Sequence, residues 1–231
     1  MKAKGLPLLI AVLALAWVAA PAQTMNLQKV LEQINTSSPK FQNVQADISV
    51  DLYTAVVQEH EQQTGMTAFR RQGSSMEMVS HLNSAGGKPV AELLYKGGEL
   101  DYYQPPPVSQ ETIFSGGSNR GEWDSLLATG FGATANDLTS QWNITFQGME
   151  TVDGHQTAKL DLVSKQASIR NNFSHLTIWI DLARDISLKQ VMVQPDGDSR
   201  TVTYSNVRYN THLSSSLFTL HVAKGTQVTH R

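Results

Sequence analysis

The chain contains no cysteine. That excludes disulfide staples, thiolate zinc sites and thiol nucleophiles. It equally excludes the lipidated cysteine that a bacterial lipid-anchored protein requires. An excess of one charge is also missing: 18 Lys and Arg face 20 Asp and Glu, for a formal net charge of −2. Nothing basic dominates, so a nucleic-acid partner or electrostatic adhesion to anionic lipid is disfavoured. Long apolar runs are scarce. The one at residues 6–18 is too short and too poorly flanked for a membrane span of ~20 residues.

That run has a different meaning. Lys2 and Lys4 precede it and Ala20-Pro21-Ala22 follows it, giving the basic, apolar and A-x-A parts of a secretory signal peptide. Residues 1–22 are therefore expected to be removed, with the mature chain beginning at or near Gln23. The remaining 209 residues, with a formal charge of −4 once Lys2 and Lys4 are gone, fit a single domain over 23–231. An exported, unanchored, periplasmic protein is the expectation, stabilised by an ordinary packed core.

Catalytic patterns are lacking too. The seven histidines show no H-x-x-x-H or H-E-x-x-H spacing, and no G-x-S-x-G elbow occurs. His60, between Glu59 and Glu61, reads as part of a solvated charged turn rather than a metal site. Gly130-Phe-Gly132-Ala-Thr-Ala135 matches G-x-G-x-x-A. It follows a helical segment, however, and Asn136 and Asp137 do not open an apolar helix, so the dinucleotide reading fails. Asp196 and Asp198 fit a hairpin turn better than a calcium loop. The glycosylation sequons at Asn35, Asn143 and Asn172 read as coincidence. No cofactor, metal or catalytic residue is expected, and a binding or carrier role is favoured over an enzyme.

What is present is alternation. Leu27, Val30, Leu31 and Ile34 first mark one face of a short helix over residues 26–34. From there the period is two. Ala46, Ile48, Val50 and Leu52 alternate with Asp47, Ser49, Asp51 and Tyr53, as in a strand with one apolar and one wet face. The pattern recurs in Met76, Met78 and Leu82, in residues 90–96, in Leu100 and Tyr102, and in Trp142, Ile144 and Phe146. It continues through Leu160 and Leu162, then Leu176, Ile178 and Ile180, then residues 188–193, and ends at Val202 and Tyr204. Gly86-Gly87, Gly97-Gly98, Pro105-Pro106-Pro107, Asp153-Gly154 and Asp196-Gly197 punctuate the series. Such spacing predicts one large antiparallel meander, closed or half-closed as a barrel. One segment breaks the pattern. Trp123, Leu126, Leu127 and Phe131 fall at helical spacing over residues 122–131, and this piece either covers a cavity mouth or plugs a solid core.

The order of these features resembles the outer-membrane lipoprotein-sorting family, the LolA-like periplasmic carriers, over nearly all of the mature chain. The pieces are the N-terminal helix running into Lys40-Phe-Gln-Asn-Val-Gln-Ala-Asp-Ile48, Lys96-Gly-Gly-Glu-Leu-Asp-Tyr-Tyr103, and Asn119-Arg-Gly-Glu-Trp-Asp-Ser-Leu-Leu127 leading to Gly130-Phe-Gly132. They end with Trp179-Ile-Asp181, Pro195-Asp-Gly197, Tyr204-Ser-Asn-Val207 and Phe218. The resemblance implies a mainly β fold with a few helices, a half-open antiparallel β-barrel covered by helices around an apolar cavity. It implies acyl chains of lipoproteins or lipids as cargo, with an inner-membrane lipoprotein-releasing transporter and an outer-membrane receptor as partners. The chain departs from the family where an Arg-Pro pair and a second arginine, tied to lid closure, are expected. Here Arg70-Arg71 is followed by Gln72, and the second arginine would fall near Met76.

The energetics agree with such a role. Taking a methylene into water costs ~0.8 kcal/mol, so a sixteen-carbon chain costs roughly 12 kcal/mol and does not cross water unaided. The lining expected for the cavity and lid is Ile48, Val50, Leu52, Met76, Met78, Leu100, Tyr102, Trp123, Leu126, Leu127, Phe131, Leu160, Leu162, Ile178 and Ile180, with the two methionines adaptable to varied chains. Two other readings stand beside the carrier. One is a non-transporting sensor of lipid or lipoprotein on the same fold that regulates an envelope partner. The other is a hydrolase whose site the sequence does not reveal. A copurifying acyl lipid would separate the first two from the third, and transfer between membranes the first from the second.

Overall fold

The computed structural model describes residues 25–73, 75–115 and 126–231. The segment read as a signal peptide and Trp123 lie outside them. Helix α1 (Leu27–Ser37) begins where Asn26 caps it, its side chain accepting from the Lys29 amide. Val30 and Ile34 turn one face of the helix wholly inward.

Twelve strands follow: β1 (Asn43–Thr54), β2 (Glu59–Gln72), β3 (Ser75–Ser84), β4 (Pro89–Lys96), β5 (Glu99–Gln104), β6 (Gln110–Ser115), β7 (Trp142–Val152), β8 (His155–Ser164), β9 (His175–Asp181), β10 (Ile186–Val193), β11 (Ser199–Tyr209) and β12 (Gln227–His230). They form one sheet in the order β12-β6-β5-β4-β3-β2-β1-β11-β10-β9-β8-β7. Two meanders, one from each half of the chain, are thus joined by the antiparallel pairing of β1 with β11. The sheet ends at β7 and β12 and is not closed, so the fold is a half-open β-barrel with few helices.

Residues directly opposite one another in paired strands share a face. One such row runs Leu100, Tyr95, Met78, Phe69, Val44, Tyr209. Another runs Val50, Val202, Gln190, Ile178, Leu160, Phe146. The face they define is apolar across nearly the whole sheet. It is covered in two patches: residues 127–131 pack on the first half and α1 on the second.

Several sequence expectations need correction. His60 lies in strand β2, not in a turn, and its ring meets the Asp51 carboxylate at 2.9 Å. Asn136 and Asp137 do belong to a helix, α2 (Ala135–Gln141), capped by a reciprocal Thr134–Asp137 capping box. It is short and mostly polar, so no apolar period announced it. The dinucleotide reading still fails, since residues 126–128, which lead into Gly130, are helical rather than a strand. The meander is not wholly antiparallel either, because β12 runs parallel to β6.

Candidate functional site

The residues singled out in the sequence sit largely on the concave face, in two adjoining clusters. Ile48, Val50, Met76, Met78 and Phe131 are buried in the first, with Leu52, Leu100 and Leu127 partly buried against it. Leu160, Leu162, Ile178 and Ile180 are buried in the second, with Leu126 against it. Ala128 and Met192 border both clusters, which makes them one continuous apolar surface. Tyr102 is half-buried, opposite Leu93 and Thr112 near the β6 edge, and belongs to neither cluster. Its neighbour Tyr103 points to the other face and is buried there, its hydroxyl accepting from the Ala223 amide.

The segment that covers this face is only partly helical. Residues 126–128 are helical and a turn follows. Phe131 leaves the helix and forms a β-bridge with Ile186, so its helical spacing in the sequence was misleading. Its ring stacks on Phe69 at 3.9 Å between centroids and meets Tyr204 edge-on at 5.3 Å. Aromatic pairs of this kind contribute roughly 0.5–1.5 kcal/mol beyond the area they bury. The interior is therefore filled by the chain's own side chains. The three surface clefts described lie elsewhere, and none is lined by Ile48, Val50, Met78, Phe131, Leu160 or Ile178.

The segment is held chiefly through its main chain. The Ser187 amide donates to the Gly130 carbonyl at 2.6 Å, and the Gly132 amide donates to the Asp185 carbonyl at 2.9 Å. The Gln190 side-chain amide donates to the Thr129 carbonyl at 3.2 Å and accepts from the Tyr204 hydroxyl at 3.2 Å. Arg71 completes the clasp, one Nη2 donating to the Gly132 carbonyl at 2.6 Å and to the Ser38 carbonyl at 3.4 Å. So an arginine does meet the covering segment, despite the departure at Gln72 and Met76. Met76 is the residue directly opposite Arg71 in β3. Glycine is required at both ends of the bridge. Gly130 and Gly132 take φ of +88° and +73°, and a Cβ on Gly132 would lie 2.5 Å from the Phe41 ring.

Beneath the clasp lies an unusual carboxyl. Asp185 is 1% exposed, its Oδ2 has no hydrogen-bond partner, and its backbone is left-handed at φ +54°. Burial pushes its pKa up to about 8 against the pull of Arg71. Neighbouring Asp181 is instead bound, by Arg184 Nε at 2.7 Å and by the Ala183 amide. Sequence reasoning drew attention to Arg71 but missed the contacts of Gln190 and the burial of Asp185 in this region. The Arg-Pro comparison was the one signal that pointed at Arg71.

The arrangement offers apolar surface and little chemistry. Among the described residues no group of three or more histidine or acidic side chains could hold a metal ion. His60, His81, His155 and His175 each lie beside one carboxylate, at 2.9–4.0 Å, with rings a third to a half exposed. Pairs of that kind are surface decoration worth little. No described helix is long and apolar enough to cross a membrane.

No family model matches the sequence, and no curated protein does. Solved structures do match. An uncharacterised conserved protein from Thermus thermophilus is 13% identical, covers 88% of this chain and 98% of its own, and superposes with a TM-score of 0.53. A putative outer membrane lipoprotein-sorting protein domain from Vibrio parahaemolyticus is 14% identical, over 84% of this chain and 97% of its own, at 0.45. A LolA superfamily protein from Nitrosomonas europaea is also 14% identical, over 85% and 98%, at 0.40. At these identities the likeness concerns the fold, and function must be argued from the site.

Proposed function

We propose that this protein is exported, loses residues 1–22, and as a single domain over 23–231 carries acyl chains of lipids or lipoproteins across the periplasm. The cargo would lie on the concave face along Ile48, Val50, Met76, Met78, Leu160, Leu162, Ile178 and Ile180, beneath residues 126–131. The observation that carries this reading is the combination of a continuous apolar face with a cover that pairs with the sheet at one residue only.

The magnitudes permit exchange. Uncovering Phe131 with the buried parts of Leu126 and Leu127 costs roughly 5 kcal/mol, at ~1.5–3 kcal/mol for each fully buried side chain. Breaking the clasp adds a few more, since each hydrogen bond is worth about 1 kcal/mol net. A sixteen-carbon chain leaving water recovers roughly 12 kcal/mol. The cargo can therefore displace the cover and can still be given up to a competing apolar site. Delivery from a releasing transporter in the inner membrane to a receptor in the outer membrane is the partner scheme this reading adopts.

Leu127→Asp tests it. Leu127 would also meet the acyl chain in the loaded state, so the substitution should remove a cargo contact and weaken retention of a fluorescent acyl probe by about tenfold or more, while unfolding is little changed because Leu127 is only half-buried. Probe retained in the folded variant at wild-type affinity would show that the segment is a fixed plug.

A further inference from the structure

The two edges of the sheet are not alike. β7 ends one side as a long strand continuous with its meander. The other side ends at β12, a four-residue strand that is the last element of the chain and the one parallel strand in the sheet. All four of its residues are exposed, and Val228 presents 51% of its surface to water. What seats it is main-chain pairing on β6. The Gln227 amide donates to the Ser109 carbonyl at 3.0 Å, the Arg231 amide to the Ile113 carbonyl at 2.9 Å, and the Ser115 amide to the Arg231 carbonyl at 3.0 Å. A strand that buries no side chain gains little beyond these bonds, and ordering its backbone offsets much of that gain. Edge positions of this kind accept strands from other chains.

The face beside this edge selects for charge. Asp101, Ile113 and His230 lie in one cross-strand row, and Tyr103, Glu111 and Val228 in the next. Asp101 and Glu111 are both partly buried. Each is held above the ordinary carboxylate range by burial, then by a neighbouring carboxylate: Glu99 for Asp101, and Asp101 for Glu111. His230 is the group on the seated strand that relieves both. A lysine or arginine at that position would place a full positive charge beside both carboxylates.

We propose that the outer edge of β6 is a docking site for an extended segment of a partner protein carrying lysine or arginine where His230 now sits, with β12 as its resident and displaceable occupant. Main-chain pairing provides the affinity and the two carboxylates, Asp101 and Glu111, provide the selection. The site is independent of the acyl-chain reading, because it lies on the sheet edge and the outer face.

The full-length protein with Thr229→Pro removes a main-chain donor midway along β12 and touches no buried residue, so folding should be unaffected. The probe is a synthetic peptide of residues 223–231, made with His, Lys or Glu at 230. In the wild type, the Ser115 amide should exchange its hydrogen orders of magnitude faster than amides of the central strand β1. Thr229→Pro should abolish its remaining protection, and the peptide should restore it. The Lys peptide should bind about threefold more tightly than the His peptide, with the Glu peptide weaker than both. Equal affinity of the Lys and Glu peptides would overturn the charge selection. Failure of any peptide at about 1 mM to protect Ser115 would overturn the docking site, as would a wild-type dimer formed by exchange of β12 between two copies.

Discussion

Asp185→Asn should reverse part of the protein's response to pH. Asparagine tolerates the left-handed backbone at φ +54° and nearly matches the carboxyl in shape. What changes is titration. The Asp185 carboxyl has its pKa raised from 3.8 to about 8 in the folded chain. Between those values the folded state holds a proton that the unfolded state has released, so stability falls as pH rises through this window. The contribution is complete below the unfolded value and gone above about 8. A rise of that size corresponds to about 6 kcal/mol as an upper bound. The chain can also escape by opening the Asp185 turn and releasing Gly132, which caps the observed loss at roughly 2–5 kcal/mol. Urea unfolding followed by tryptophan emission, at about pH 5 and about pH 8.5, measures it. The wild type should lose more stability than the variant across that interval, and the variant should be the more stable protein at the alkaline end. Because Asp101 and Glu111 titrate with the same sign, the difference between the two proteins is the informative quantity. Parallel stability curves would refute a buried, proton-holding Asp185.

Two further outcomes follow from single contacts. Gly65 faces the β3 backbone so closely that a Cβ would lie 1.9 Å from the His81 carbonyl oxygen, and backbone cannot swing aside as a flexible side chain would. Gly65→Ala should therefore cost about 3 kcal/mol or more and lower Tm by roughly 10 °C in a thermal melt; an unchanged Tm would contradict the packing of β2 on β3. Glu150 accepts from the Trp179 indole at 2.6 Å and from Lys159 at 3.0 Å, which holds its carboxyl below the ordinary range. Trp179 emission should thus shift on acidification below about pH 4.5 and not before, and Glu150→Gln should remove the step; a transition above that pH in the wild type would refute the pairing.

The parts of the fold legible in the sequence are those where one face is wet and the other is packed. β1 shows this plainly, with Val44, Ala46, Ile48 and Val50 buried between less buried neighbours. β2 escaped detection because its first half, from Glu59 to Thr64, is polar on both faces. It is held there by pairing with β1 out to a hairpin tip whose Val56 is 89% exposed. β6 escaped because its two apolar residues, Ile113 and Phe114, are adjacent and fall on opposite faces, and β12 because it carries a single apolar residue, Val228. The candidate lining was readable because alternation assigns a residue to a face. What closes that face was not. The contact from Arg71 to Gly132 spans 61 positions, and its acceptor is a main-chain carbonyl, which every residue possesses and no side chain advertises. Asp185 reads in sequence as one of two acids in a polar turn, Asp181-Leu-Ala-Arg-Asp185. Only the packing of residues 130–132 over it turns an ordinary surface carboxyl into a buried one.

These features place the proposed affinity in a difference between two occupants of one surface. Phe131, Leu126 and Leu127 pack on the concave face, which on the proposed reading is the surface cargo would take. A chain that binds must replace those contacts, and its net affinity is its own transfer free energy less the cost of lifting the cover. It follows that anything strengthening the clasp weakens retention of cargo by the same amount, and anything loosening it strengthens retention until release itself fails. On the proposed reading Arg71, Gln190 and Asp185 would act on that balance without touching cargo. Arg71 and Gln190 grip carbonyls of the segment. Asp185 offers its own carbonyl to Gly132 from a turn whose side chain resists ionisation. The apolar lining would thus set which chains fit, while three polar residues at its rim set how tightly any of them is held.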